Sequence, residues 1–223
     1  MRATQEDELT PWHRAFRVVG DDATILHPVN AVGSVRWHTA FAYVDAARSR
    51  SNLTILPETL VDRVPVEDGC ATGANTVRGE LSAETVVIVA GAYGSPGILL
   101  RSGIGPAPEL RRHRIPLVAE LPVGEGLVDH VGTGAAWVPT ELLVRETEAH
   151  ETRHGLFMAQ VTISRRGRTC PPGVNDLFLF PALNPGPEIS AAAFAMKPLS
   201  RGSVRLRSRE PDVPLAIDHG FPA

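Results

Sequence analysis

The strongest hydrophobic pattern in the chain is a continuous run of β-branched residues from Val86 to Val89, with no polar alternation. Such a run is typical of a strand buried on both faces, as in a parallel sheet covered by helices. We therefore predict a central parallel strand at Thr85–Val89. The small residues 90–92 follow at once, and small residues at a strand end let a backbone or a ligand come close.

The turn after this run carries the signals of a helix start. Ser95 is a good N-cap, and Pro96 suits the first helical position, where its missing N–H costs nothing. We predict a helix at Pro96–Ser102, closed by Gly103 because glycine tolerates the left-handed conformation. Strand, small-residue turn and capped helix together present backbone N–H groups to a phosphate-bearing cofactor, but a plain strand-to-helix turn has the same signals.

The remaining pattern predicts elements of both kinds. Helical spacing predicts helices at 39–48 and around 109–113. Upstream of the central run, strand patterns occur at 52–56, 59–66 and 72–82. We place a domain boundary in the loop-rich stretch 122–134, and residues 141–154 are charged and expected to be exposed. Further strands are predicted at 156–164, 176–181, 191–197 and 203–207, in an antiparallel sheet.

Composition places the chain among ordinary soluble proteins. Its 223 residues are 43% hydrophobic and 21% charged, with a net charge of −3. This charge favours neither a nucleic-acid nor a membrane partner. No apolar run reaches the length of a membrane span and the first residues are polar, so a cytoplasmic location is expected. The pattern gives no indication of oligomeric state.

Few residues suggest chemistry by themselves. The two cysteines, Cys70 and Cys170, have no partner at metal-ligand spacing, so neither a disulfide framework nor a metal site is expected. Of eight histidines, His130 beside Asp129 is the best placed to lie near a ligand. No Gly-x-Ser-x-Gly elbow, P-loop or His-Glu-x-x-His occurs, so nothing supports a hydrolase.

The most specific signal is residues 91–105, GAYGSPGILLRSGIG. This stretch resembles the second signature of the glucose-methanol-choline (GMC) oxidoreductases, a family of FAD enzymes. The match includes Ser95-Pro96, Leu99-Leu100 and the segment 102–105. Further family landmarks occur in family order, at Asn52 to Ile55, at Leu127, Asp129 and His130, and at Ser200 to Gly202. The resemblance covers roughly Val35 to Phe221.

The resemblance implies a fold, a cofactor and a small set of site residues. The fold class is α/β (α+β mixed): part of a GMC-type FAD-binding domain with a β-meander, plus part of an antiparallel-sheet substrate domain. The implied domains are an irregular N-terminal segment and helix (1–47), a partial FAD-binding domain (48–130) and a partial substrate-binding domain (131–223). Val61 matches the position whose strand holds the adenine edge of FAD, although the same residue also suits a core. Gly91 and Ala92 form the turn facing the cofactor.

Departures from the family pattern limit what is assigned. GMC enzymes begin with a Gly-x-Gly-x-x-Gly turn for the FAD pyrophosphate and end with a segment carrying the catalytic histidine. We find neither here, so we expect an internal fragment and assign no catalytic residue. The loop 122–126 is one residue shorter than usual, and Gly126 replaces a typical asparagine. In the family the Asp129-His130 pair closes a structural loop and is not the catalytic base. Purified alone, the chain is expected to be colourless and inactive towards alcohols, even with added FAD.

The resemblance implies oxidation of the CH–OH group of a small-molecule alcohol by hydride transfer to FAD. An alternative is a non-enzymatic remnant or binding module that keeps the core of the fold without the reaction. A third interpretation makes Gly91, Gly94 and Gly97 an NAD fingerprint. Pro96 fits that pattern poorly, and the motif lies in the middle of the chain instead of at a first strand.

Overall fold

The computed structural model describes residues 2–33, 35–155, 159–168, 170–183 and 188–221. The helices are α1 (Pro11–Gly20), α2 (Asp45–Ala47), α3 (Gly91–Arg101), α4 (Ala107–Arg112) and α5 (Glu141–His154); 3-10 turns occupy Glu6–Glu8 and Asp21–Ala23, and a π-helical segment occupies Ala40–Val44. The strands are β1 (Arg2–Ala3), β2 (Thr24–Leu26), β3 (Pro28–Val29), β4 (Ala31–Val32), β5 (Val35–Arg36), β6 (Val61–Arg63), β7 (Val66–Glu67), β8 (Cys70–Ala71), β9 (Gly73–Thr76), β10 (Gly79–Ser82), β11 (Glu125–Leu127), β12 (Val131–Trp137), β13 (Val161–Arg165), β14 (Leu177–Leu183), β15 (Ile189–Ala195), β16 (Gly202–Arg205) and β17 (Ala216–Asp218).

These elements form two compact units. The first unit contains Met1–Leu53 and His130–Pro198, and the second contains Thr54–Asp129 and Leu199–Ala223. The C-terminal residues therefore pack with the segment that holds α3, whereas the sequence grouped them with residues 131–198. The cofactor and substrate roles of the three predicted segments remain predictions.

The first unit is built on a five-stranded antiparallel sheet in the order β12-β15-β14-β13-β2. Helix α1 packs on β13 and β14, and Trp12 of α1 lies edge-on to Trp137 of β12, with ring centroids 6.0 Å apart. An antiparallel sheet in the C-terminal half is confirmed for the predicted strands at 156–164, 176–181 and 191–197, which correspond to β13, β14 and β15. The predicted strand at 203–207 is β16, which pairs with β11 and β17 and therefore belongs to another sheet. The first residues of the predicted strand 156–164, Leu156 to Met158, lie outside the described residues.

The second unit places α3 between two small sheets. Strands β10, β9 and β6 form an antiparallel meander, and β11, β16 and β17 form another three-stranded sheet. Helix α3 contacts β6 and β16. A hydrophobic core between them contains Leu100, Leu110 and Leu206, with Ile115, Val123 and Leu215 packed against it. The mixed class with a β-meander is therefore confirmed.

The predicted central parallel strand at Thr85–Val89 is wrong. No strand among the described residues pairs with this segment, and the Val87 side chain is 77% exposed. A β-branched run favours extended backbone, but a strand also needs a neighbour that bonds to its N–H and C=O groups. Only one side of the segment is covered: Val86 and Ile88 are half-buried and line an apolar pocket with Leu99.

Two further expectations need correction. The predicted strand 52–56 is absent, because a turn in which the Leu53 N–H donates to the Arg50 carbonyl (3.2 Å) precedes an unpaired stretch. Helix α3 begins at Gly91, so Pro96 lies inside it and Ser95 is not its N-cap. Gly91 has a φ of +79°, which glycine adopts at little cost, and the chain therefore turns into the helix earlier than the serine signal predicts.

The end of α3 agrees with the prediction. Gly103 has a φ of +82°. Its N–H donates to the Leu100 carbonyl (3.1 Å), and the Ile104 N–H donates to the Leu99 carbonyl (3.0 Å). This is a Schellman motif, which satisfies carbonyls that the helix end would leave unpaired. In the described parts of the chain, no helix has the length and apolar character needed to cross a membrane.

Candidate functional site

The three predicted cofactor residues all lie in the second unit, at β6 and at the start of α3. Val61 is the first residue of β6 and is half-buried. Gly91 and Ala92 are the first two residues of α3 and are exposed. A Cβ added at Gly91 would meet no atom within 4 Å. The turn into α3 is therefore open on the side where a side chain would point.

A pocket of about 420 Å³ lies between β6, α3 and the segment 211–215. We call it the β6–α3 pocket. Val61 and Ala90 line it together with Gly94, Gly97 and Ile98. Its walls are thus mostly apolar and carry small side chains, which suits a flat apolar group. Gly91 and Ala92 are adjacent to the pocket but are not among its lining residues.

Arg101, near the end of α3, also lines this pocket, and its side chain is only 7% exposed. Its Nε donates to the Asp62 carbonyl oxygen (2.9 Å) and to Asp62 Oδ1 (3.0 Å). Asp62 Oδ2 in turn accepts a hydrogen bond from Arg63 Nη1 (2.9 Å). One carboxylate therefore joins two guanidinium groups, and this pairing offsets the cost of burying Arg101.

A second contact fixes α3 against β6. Ser102 Oγ donates to the Ile98 carbonyl (2.7 Å) and accepts a hydrogen bond from the Val64 N–H (2.9 Å). The outer edge of β6 is thus bonded to side chains of α3 instead of to another strand. Together with the Arg101 contact, it sets the width of the β6–α3 pocket.

Sequence analysis missed the role of Arg101 and Ser102 in this arrangement. The available signal was a charged residue that follows directly on Ile98 to Leu100, an apolar run inside a predicted helix. A charge in such a position is typically paired when it is buried. The identity of its partner, Asp62, depends on tertiary packing and has no local signal.

Another polar cluster lies beside the first turn of α3. The Tyr93 hydroxyl is 3.2 Å from His219 Nε2, and the same nitrogen is 3.4 Å from Asp129 Oδ2. All three side chains are partly exposed. The cluster ties the end of β17 to α3 and thereby brings Asp129 of the predicted Asp129-His130 pair into contact with the C-terminal segment. It is a structural tie between chain segments distant in sequence.

Comparison with known proteins identifies the family of the chain. The family model for GMC oxidoreductase matches residues 18–132, just over half of the chain. The matched region includes β6, the start of α3 and the Schellman motif that closes it. The chain belongs to the GMC oxidoreductase family, whose cofactor is FAD.

Individual relatives are consistent with this assignment. The chain is 33% identical over 188 residues to 5-(hydroxymethyl)furfural oxidase of Methylovorus sp. (strain MP688), which covers 80% of this chain and 34% of that protein. It is 46% identical over 104 residues to oxygen-dependent choline dehydrogenase of Yersinia pseudotuberculosis serotype IB (strain PB1/+), covering 43% of this chain and 18% of that protein. The crystal structure of pyridoxine 4-oxidase from Mesorbium loti matches 99% of this chain and 48% of that one, with a TM-score of 0.81 and 25% identity. The chain thus spans about half or less of each relative.

The residues present fit one end of FAD. The β6–α3 pocket is apolar, has small residues along α3 and lies beside the open turn at Gly91. A flat adenine ring suits such a cavity. In the described part of the chain, the charged side chains that line it are Arg101 and Asp212, and the Nε group of Arg101 is already bonded to Asp62.

Proposed function

We propose that this chain supplies the adenine side of an FAD site to an oxidoreductase that acts on the CH–OH group of a small-molecule alcohol. The observation that carries the proposal is the β6–α3 pocket, which brings Val61 of the meander to the start of the helix carrying the family signature. When bound, FAD accepts the hydride that the alcohol carbon loses.

In this proposal the residues of the chain bind and orient the cofactor. Val61 provides an apolar wall for the adenine ring, and Gly91 and Ala92 let the cofactor approach the backbone at the start of α3. Arg101 and Ser102 hold β6 and α3 at a fixed separation through Asp62 and Val64. No residue of this chain is assigned to proton transfer.

The names of two relatives suggest which alcohols to test as substrates. One is named as an oxidase of 5-(hydroxymethyl)furfural and another as a dehydrogenase of choline. We propose a primary or secondary alcohol of this size class as the substrate of the complete enzyme, and a cytoplasmic location for it. The full chain alone is expected to be colourless as purified and inactive towards either alcohol, because its sequence contains no Gly-x-Gly-x-x-Gly turn to hold the pyrophosphate.

The test is to measure adenosine binding to the full chain by saturation-transfer NMR. Adenosine carries no phosphate, so it reports on the adenine pocket alone. We expect Val61→Phe, which fills the pocket, to weaken adenosine binding about tenfold or more, a difference of about 1.4 kcal/mol. The matched control is Val77→Phe, at a valine that is 59% exposed and lies outside the pocket.

Equal adenosine binding by the two variants and the parent would overturn the assignment of Val61. Circular dichroism of each variant checks that the fold is retained. If the folded parent binds neither adenosine nor FAD, the proposal fails and the non-enzymatic alternative is favoured.

A further inference from the structure

A second pocket, of about 380 Å³, lies on the other side of Arg101, and its charge differs from that of the β6–α3 pocket. Three guanidinium groups line it, those of Arg63, Arg101 and Arg209, and Glu67 is the only carboxylate that does so among the residues the structure describes. We call it the arginine pocket. Apolar residues of β7 and of the segment 115–118 complete its walls.

Arg101 is the buried member of this group. Its guanidinium carries five N–H donors, and the one on Nε is bonded to Asp62. Among the described residues, neither Nη1 nor Nη2 makes a hydrogen bond, and the side chain as a whole is 7% exposed. Neither Nη atom is among the fully buried polar atoms that lack a partner, so both are reached by solvent and their N–H groups can donate to a small ligand that enters from it.

The other two arginines add positive charge and make few hydrogen bonds with the described residues. Arg63 bonds to Asp62 Oδ2 through Nη1 and is otherwise available, with a side chain that is 44% exposed. Arg209 is exposed and makes no hydrogen bond or ion pair with any described residue. Counting Asp62 and Glu67 against the three arginines, the site keeps a net charge of +1 before any ligand enters.

We propose that the arginine pocket binds a phosphate-type dianion, either free phosphate or the phosphate group of a small phosphomonoester. Planar guanidinium groups match phosphate oxygens in bidentate geometry, and such charge-assisted hydrogen bonds are among the strongest in proteins. A free phosphate or a phosphomonoester has at least three oxygens without an organic substituent, which offer enough acceptors for several guanidinium N–H groups. The volume leaves room for an organic substituent beside the phosphate.

This inference is independent of the proposed FAD role. The arginine pocket contains none of Val61, Gly91 or Ala92, and it is reached from the C-terminal end of α3 instead of the N-terminal end. The two sites share only the Arg101 side chain.

The test is isothermal titration calorimetry of the full chain with sodium phosphate and, separately, with methyl phosphate, at constant ionic strength set by sodium chloride. We expect saturable binding of at least one of the two ligands, and the better ligand identifies the source of the phosphate group. Arg209→Gln and Arg63→Gln should each weaken binding about tenfold, as expected for loss of one charge-assisted hydrogen bond. Glu67→Gln should strengthen binding, because it removes the one carboxylate lining the pocket.

The matched control is Arg207→Gln, which removes an equal charge two residues from Arg209 but outside the pocket. This variant should bind phosphate as the parent does. If Arg207→Gln weakens binding as much as Arg209→Gln, the effect is general electrostatics and the proposal is overturned. Absence of saturable binding by the folded parent overturns it as well, and so does weaker binding by Glu67→Gln.

Discussion

Arg101 and Asp62 are joined by two contacts from one nitrogen: Arg101 Nε lies 2.9 Å from the Asp62 carbonyl oxygen and 3.0 Å from its Oδ1. The contact links a helix to a strand 39 residues away in the sequence. Both proposed sites depend on it, because Arg101 forms a wall of the β6–α3 pocket and of the arginine pocket.

Removing Asp62 should therefore destabilise the fold. We expect Asp62→Ala to lower the free energy of unfolding by about 3 kcal/mol, because a buried guanidinium would lose its carboxylate. Asp62→Asn keeps an acceptor oxygen and should cost less, about 1–2 kcal/mol. Urea denaturation followed by circular dichroism measures both.

The control for this prediction is Asp45→Ala. Asp45 pairs with Arg48 (2.8 Å) on the surface, where both side chains are about half exposed. Surface pairs contribute about 0–1 kcal/mol, so this variant should unfold close to the parent. Equal losses from Asp62→Ala and Asp45→Ala would contradict the role assigned to the buried pair.

Gly103 gives a second prediction, about backbone geometry. A Cβ at Gly103 would lie 2.3 Å from the Pro116 carbonyl oxygen, and the residue has a φ of +82°. Gly103→Ala should therefore suffer both left-handed strain and a clash with backbone. Gly69→Ala isolates the strain, because Gly69 has a φ of +79° and nothing within 4 Å of its Cβ position.

We expect Gly69→Ala to cost about 1–2 kcal/mol of unfolding free energy. Gly103→Ala should cost about 1–3 kcal/mol more, since the neighbouring backbone must move to admit the methyl group. Thermal unfolding of the two variants side by side provides the measurement. A smaller loss of unfolding free energy for Gly103→Ala than for Gly69→Ala would show that Gly103 and the Pro116 carbonyl are not closely packed.

The features that the sequence predicted correctly have local causes, whereas those it missed depend on contacts between residues distant in the sequence. The left-handed turn at Gly103 was predictable because its cause is local: a helix end needs a residue that accepts a positive φ. Strands β13, β14 and β15 were predictable because alternation and turn residues recur at close intervals. Strands β12 and β2 of the same sheet were not predicted, because 122–134 was interpreted as loop-rich and 1–47 as an irregular segment and helix. Arg101 was missed because its partner Asp62 is brought near only by packing.

The strand predicted from the Val86 to Val89 run was wrong because a local pattern was used to predict burial, which depends on tertiary packing. Its composition specifies extended backbone, but burial depends on a neighbouring strand, and none among the described residues lies beside it. Local propensity is a weak guide wherever pairing partners decide the outcome. The same limit applies to the candidate site: the resemblance to the family suggested Val61, whereas the pocket that Val61 lines could not be predicted from the sequence.

This correction leads to a third prediction, at Val87. Because its side chain is 77% exposed, Val87→Asp should change the free energy of unfolding of the chain by no more than about 0.5 kcal/mol. Val204→Asp is the contrasting variant, because Val204 is 1% exposed in β16 and an unpaired charge there should cost several kcal/mol. Urea midpoints distinguish the two. A large loss from Val87→Asp would mean that the 85–89 segment is covered in solution.

The fourth prediction concerns the loss of stability at acidic pH. His150 of α5 is nearly buried, and its Nε2 donates to the Glu8 carbonyl oxygen (2.8 Å), which also accepts from Gln160 Nε2 (2.6 Å). Burial lowers the pKa of His150 below its ordinary value. The hydrogen bond to the Glu8 carbonyl opposes this shift, and the charges of His154 and Arg14 add to it. The folded protein therefore holds this imidazole neutral at pH values where the unfolded chain already takes up a proton.

Stability should consequently fall as the pH drops from about 7.5 to 5.5, through the ordinary histidine pKa of about 6.5. Burial also lowers the pKa of His27, so two groups contribute to the slope. The hydrogen bonds from Arg2 lower the pKa of Glu8 below its ordinary value of 4.5, so that carboxylate acts only at more acidic pH. His150→Gln keeps a donor for the Glu8 carbonyl and removes the titration.

We therefore expect the melting temperature of His150→Gln to fall less between pH 7.5 and 5.5 than that of the parent, with the remaining slope due to His27. Calorimetric scans at constant ionic strength measure both slopes. His38→Gln is the matched control, because it removes an exposed histidine and leaves the contacts of His150 in place. Identical slopes for His150→Gln and the parent would show that His150 does not couple proton uptake to unfolding of the first unit.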